Sequence, residues 1–156
     1  MAQDDTLRRF VFERYPFRGQ LVHLGPAWAA MMEHHDYPEQ VRDSLGEAVV
    51  AAALLASTLK FDGLLSLQLR GEGPMHLMLV ECTDGLAMRA VARFRDPPAT
   101  RDLRELSGNG TLTVTVESGS GANPYQGIVP LAGASMSDCL RAYFDRSEQL
   151  PTRLWL

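Results

Sequence analysis

Apolar residues alternate with polar ones along some stretches of the chain and recur at three- and four-residue spacing along others. The first period marks strands and the second marks helices. The cleanest alternation is Thr111-Leu112-Thr113-Val114-Thr115-Val116-Glu117, with Leu112, Val114 and Val116 on one face and threonines on the other. Leu65, Leu67 and Leu69 alternate in the same way with Ser66, Gln68 and Arg70. Met75 to Cys82 is apolar with less regard to parity, which predicts a strand buried on both faces. Ala87 to Phe94 supplies another strand. Turns at Gly71-Glu72-Gly73-Pro74 and Thr83-Asp84-Gly85 join these three into an antiparallel meander. Arg95 to Ser107 contains Pro97-Pro98 and reads as a loop with one helical turn near Asp102. Ser118 to Pro124 is a flexible loop, and Tyr125 to Leu131 is a further strand.

Helical periods appear in three places. Pro26 suits the first turn of a helix through Trp28 and Met32. Pro38 opens a second helix, and Ser44-Leu45-Gly46-Glu47 matches a capping box, so a new start is expected there. Ala48 to Ala56 is apolar on every face, the mark of a buried helix, and the central helix is placed at 47–60. Ser135 caps a last helix whose Met136, Cys139, Leu140, Tyr143 and Phe144 share one face. At the start of the chain, Phe10 and Phe12 flank Val11 with period two and predict an extended segment. Arg18-Gly19 predicts a bend before a short strand at Leu21 to Leu24. The last five residues, Thr152-Arg153-Leu154-Trp155-Leu156, read as an apolar strand that still wants burial, as expected of a fragment or of a strand completed from outside. The fold class that follows is α+β: antiparallel β-sheet layers, a buried central helix and one C-terminal amphipathic helix, in a single domain over 1–156.

Composition narrows the function. At 46% hydrophobic and 22% charged, the 156 residues suit one globular domain with a real core. A net charge of -4 has the wrong sign for a nucleic-acid binder. Lys60 is the only lysine among 15 basic residues, and the arginines look scattered rather than gathered in a stripe. The first residues lack the basic and apolar regions of a secretory signal. The longest apolar run falls well short of the ~20 residues that cross a bilayer. The expected compartment is therefore the cytoplasm, with no membrane partner.

Catalytic patterns are scarce. Neither Cys82 nor Cys139 belongs to a CxC or CxxC pair, and both are expected as free buried thiols rather than a disulfide. His34-His35-Asp36 beside Glu33 is the densest polar cluster. Adjacent histidines on a helix point about 100° apart, so a solvated helix end is the better reading. There is no GxSxG elbow, no GxGxxG after a strand and no P-loop. Glu81 lies within a strand and is expected to be paired or at an edge. A pocket near Glu81 and His76 is the one enzymatic or ligand-binding alternative. Met75, Met78 and Met88 with Met31 and Met32 form either core filling or an adaptable binding surface, and core filling is preferred.

Several strings, in order, resemble the N-terminal domain of the redox-regulated 33 kDa chaperonin (heat-shock protein 33) family. They are Arg8-Arg9-Phe10 with Arg18-Gly19, Leu45-Gly46-Glu47 through Leu59-Lys60-Phe61-Asp62-Gly63, Leu67-Gln68-Leu69 with Gly71-Glu72-Gly73-Pro74, Tyr125-Gln126-Gly127-Ile128-Val129-Pro130-Leu131, and Tyr143-Phe144 with Ser147-Glu148-Gln149-Leu150-Pro151-Thr152. The resemblance implies an ATP-independent holdase, not an enzyme, that binds unfolding proteins under heat or oxidative stress and is active as a homodimer. It also implies a C-terminal switch domain in which four cysteines, in CxC and CxxC pairs, hold zinc until oxidation forms disulfides and exposes a binding surface. That domain is expected to be absent from this chain, since Cys82 and Cys139 match none of the four ligands. No catalytic, cofactor or metal residue is therefore assigned. The expected partners are unfolded clients, bound through apolar surface left uncovered or through an unpaired edge near Leu154-Trp155-Leu156.

Overall fold

Antiparallel pairing and one long helix account for nearly all of the architecture. The computed structural model describes residues 3–147 and 151–156. A two-stranded hairpin, β1 (Thr6–Val11) and β2 (Arg18–His23), precedes α1 (Pro26–Met32) and α2 (Glu39–Thr58). Then come β3 (Gly63–Arg70), β4 (Met75–Thr83), β5 (Met88–Phe94), α3 (Leu103–Ser107), β6 (Thr111–Ser118), β7 (Tyr125–Val129) and α4 (Met136–Ser147). The second sheet is antiparallel in the order β5-β4-β3-β6-β7, so the expected meander forms and β6 joins on its other side. The α+β class is the one observed.

Register sets the two faces of that sheet. Leu67 sits opposite Val80 and Val114, and Leu69 opposite Met78 and Leu112. These side chains share one face and are all but fully buried. The helix α2 packs on β3, β4 and β5, and also touches β2 and α4. Contact with several elements explains its composition: Val41, Leu45, Val49 and Ala52 are completely enclosed, as a helix apolar all round must be. Its alanines let the helix approach the sheet closely.

The helix begins earlier than its pattern suggested. It runs unbroken from Glu39, with Ser44 buried inside it rather than capping a new start. Glu47 does not close a capping box. Its carboxylate instead accepts a hydrogen bond from the Met136 amide at the start of α4, at 3.3 Å. A tertiary partner thus replaced the local one, and the box residues continue the helix.

Three further expectations change. β4 is not buried on both faces: Met78, Val80 and Cys82 are enclosed, while Leu77, Leu79 and Glu81 are half-exposed. Arg18-Gly19 is not a bend but the start of β2, paired with Val11 and Phe10. Thr152 to Leu156 forms no strand. Leu154 and Leu156 pack against the core as irregular chain, and Trp155 is 80% exposed. The notion of an open strand edge at Leu154-Trp155-Leu156 therefore fails. Part of the string Ser147–Thr152, at 148–150, lies outside the described residues.

Three glycines have steric causes. The β3–β4 turn lies against the end of α3, where the Gly73 amide donates to the Ser107 carbonyl at 3.0 Å. A Cβ on Gly71 would lie 1.9 Å from that oxygen, and one on Gly73 would lie 2.3 Å from the Gly108 nitrogen. On β7, a Cβ on Gly127 would lie 2.6 Å from the Tyr143 hydroxyl, which bonds the Tyr125 hydroxyl there. The short helix α3 itself is fixed by Asp102, whose carboxylate accepts the Arg104 and Glu105 amides. The last helix starts as read, with the Asp138 amide donating to Ser135 Oγ at 3.1 Å.

Candidate binding surface

Among the described residues, two stretches of apolar surface outside the core stand out. The first is the outer face of the five-stranded sheet. Leu77, Leu79 and Val91 stand there with Leu64, all half-buried and none belonging to the core cluster. Register places Leu79 beside Val91, and Ile128, 68% exposed, lies on the same face at the far edge. Ser66, Gln68, Thr113 and Thr115 share the face, as do Arg70 and Arg93 on either side of Leu77 and the Glu81–Arg89 pair.

The second is the hairpin. Its inner face holds it to α2. The Arg9 guanidinium donates to the Ser57 carbonyl at 2.6 Å, and Gln20 Oε1 accepts from the Ser57 hydroxyl at 2.6 Å. Leu7 and Val22 face Ala53 across a cavity of about 580 Å³. The outer face and tip are apolar and wet: Phe10, Phe12, Tyr15, Phe17 and Leu21 are all exposed, and Val11, which register places on the inner side opposite Arg18, is exposed as well. The Phe10 ring lies across Gly19, whose missing side chain makes room for it. Alternation correctly marked β1 as extended, but period alone could not say that no layer covers these rings. The arginines are less scattered than composition suggested, because Arg8, Arg9, Arg14 and Arg18 all fall on this one hairpin.

The polar candidates do not converge. Glu81 is paired across the strands with Arg89, whose pKa that hydrogen bond raises. His76 lies five positions away on β4, about 16 Å of strand rise, and its buried Nδ1 has no partner among the described residues. Neither lines the 580 Å³ cavity nor a second one of about 640 Å³ between α1, α2 and the start of α4. That second cavity mixes Trp28, Val50, Met136 and Leu156 with Glu47 and Arg101, and Arg101 pairs with Glu39 and Asp43. Burial pushes the Glu47 carboxyl above its ordinary pKa against the pull of the Met136 amide, and Asp43 and Asp138 add to the rise. Burial would also raise Asp102, but the Arg104 and Glu105 amides and the Arg104 guanidinium hold it below the usual carboxylate range.

The cysteines are inert. Both are free and buried, and burial pushes Cys82 up to about 11. They sit on β4 and α4. Among the described residues no group of three or more His, Cys, Asp or Glu could hold a metal, so a four-cysteine zinc site does not fit the residues present. His34, His35 and Asp36 are exposed just past α1, with His35 stacked on Tyr37 at 4.9 Å between ring centroids. Met75 and Met78 are core, and Met31, Met32 and Met88 pack on it, with Met31 and Met88 also lining the 580 Å³ cavity. No described helix is long and apolar enough to cross a membrane.

The comparisons with known proteins fall on this fold as a whole. The family model described as Hsp33 protein matches residues 5–156. The chain belongs to the Hsp33 family. It is 48% identical to the 33 kDa chaperonin of Cronobacter sakazakii, covering 100% of this chain and 53% of that protein. It is 43% identical to the 33 kDa chaperonin of Methylobacillus flagellatus, again over its full length and 54% of the relative. The chain thus spans about half the length of the curated relatives it matches. The crystal structure of the Thermotoga maritima 33 kDa chaperonin shares the fold, with a TM-score of 0.74 at 23% identity over 93% of this chain and 52% of that one.

Proposed function

We propose that this chain is the client-holding core of an ATP-independent chaperone, which binds unfolding proteins through apolar surface outside its own core and keeps them from aggregating under heat or oxidative stress. The observation that carries this is the one-sided sheet: α2 covers one face, and the other presents Leu77, Leu79 and Val91 with no helix over them among the described residues. Such a surface recruits other chains by removing apolar area from water, without nucleotide chemistry. Membership in a family of chaperonins supports the same reading.

The finer parts of the proposal follow the resemblance. We place the protein in the cytoplasm, as a homodimer that acts on polypeptide rather than as an enzyme, with neither nucleic acid nor membrane as a partner. Zinc and redox control belong to the portion of the relatives that this chain does not span. A CxC and CxxC quartet in the downstream reading frame would support that assignment. The test of the core itself is light scattering. A thermolabile reporter enzyme heated with a several-fold excess of this chain should scatter less than the reporter alone. Undiminished scatter would sink the proposal.

A further inference from the structure

The hairpin differs from the sheet face in chemistry as well as position. Its rings form a continuous run: Phe10 meets Phe12 edge-on at 5.9 Å, Phe12 meets Phe17 at 6.3 Å, and Tyr15 stacks on Phe17 at 6.2 Å. Their exposures are 48%, 52%, 63% and 63% for Phe10, Phe12, Phe17 and Tyr15. None packs against the core. A two-stranded ribbon is marginal by itself, and here only its inner face is anchored. Aromatic side chains are costly to leave in water and bind partners at low entropic cost, because they have few rotatable bonds.

Charge identifies the partner. The hairpin carries Arg8, Arg9, Arg14 and Arg18 against the single acid Glu13, on a chain whose net charge is -4. Arg9 is engaged by Ser57, while Arg8, Arg14 and Arg18 are exposed and belong to none of the ion pairs among the described residues. A guanidinium beside an aromatic face favours a carboxylate partner flanking an apolar one. A second copy meeting this hairpin with its own would oppose arginines to arginines, which disfavours symmetric pairing.

We propose that the outward face and tip of the β1–β2 hairpin dock extended polypeptide segments that combine aromatic or aliphatic side chains with carboxylates. Phe10, Phe12, Tyr15 and Phe17 take the apolar groups, and Arg8 on the outward face and Arg14 at the tip take the carboxylates, whereas Arg18, opposite Val11, lies on the other side of the ribbon. This docking role rests on the chaperone reading, since an unfolding client is the source of such segments. It adds a charge preference that a purely apolar surface lacks.

Fluorescence anisotropy with two labelled short peptides tests it. Both carry the same leucines and phenylalanines, one flanked by aspartates and glutamates and the other by lysines. The acidic peptide should bind the chain more tightly, and added salt should weaken it. Two folded variants, Phe12→Ser/Tyr15→Ser/Phe17→Ser and Arg8→Gln/Arg14→Gln, should each lose about tenfold in affinity for it. Equal binding of the two peptides, or unchanged affinity in both variants, overturns the assignment. So does a variant that turns a dimer into a monomer in sedimentation while its peptide affinity holds, since the strip would then belong to a second copy. The two ideas fail separately. If the variants suppress reporter aggregation as well as the parent chain, the hairpin role falls and the chaperone reading stands. If the parent chain suppresses nothing while still preferring the acidic peptide, the reverse holds.

Discussion

The α2–sheet core and the β1–β2 hairpin are both rich in large apolar side chains and put them to opposite uses. In the core, Leu45, Leu67 and Leu112 are fully enclosed. In the hairpin, Phe12, Tyr15 and Phe17 touch mainly one another and water. The core therefore carries stability and the hairpin adds little to it. Enclosure, rather than hydrophobicity, separates residues that hold the fold from residues left to hold something else.

The widest gap between the two regions is expected in denaturation. Leu67→Ala removes a side chain that is 1% exposed and should cost about 2–5 kcal/mol in urea unfolding. A loss below 1 kcal/mol would mean that the core is looser than its packing implies. Next comes the β3–β4 turn. Gly73→Ala forces a Cβ into the Gly108 backbone and should cost more than about 1 kcal/mol, read as a lowered urea midpoint. Glu47 comes third. Its raised pKa means that the folded state prefers the protonated form. That preference favours folding below the unfolded value of 4.5 and is lost as pH rises through the folded pKa. Glu47→Gln keeps an acceptor for the Met136 amide and should stabilise the chain at pH 7. The gain should shrink as pH falls toward 4.5, and an advantage independent of pH would refute the burial argument. The smallest effect belongs to the hairpin, where Phe12→Ser/Tyr15→Ser/Phe17→Ser should change stability by less than about 1 kcal/mol in total. A large loss would show that these rings support the fold after all.

The same contrast explains what could be read in advance. Periodicity found the meander, α4 and the buried central helix, because each buries one face or all faces and so writes its burial into its spacing. It misjudged the start of α2, since the Ser44–Glu47 box looks local while Glu47 is held by Met136, distant in sequence. It made a strand of Thr152–Leu156, because Leu154 and Leu156 are apolar and spaced by two, although they reach the core without pairing to a neighbour. The exposed surface was the least legible part. Nothing in Phe10-Val11-Phe12 says whether a layer covers it, and nothing in Leu77 and Leu79 says that they leave the core. The arginines looked scattered until the hairpin gathered four of them on one ribbon.

Site-specific photocrosslinking tests the central claim most directly, namely that unfolding proteins are held on apolar surface outside the core. A photoreactive residue would replace Leu79 on the open sheet face, Phe17 on the hairpin, or Glu105 on the exposed, polar side of α3. With a reporter enzyme heated in the presence of each variant, Leu79 and Phe17 should capture the unfolding reporter and Glu105 should not. Equal capture at all three positions, or capture at Glu105 alone, would contradict the account.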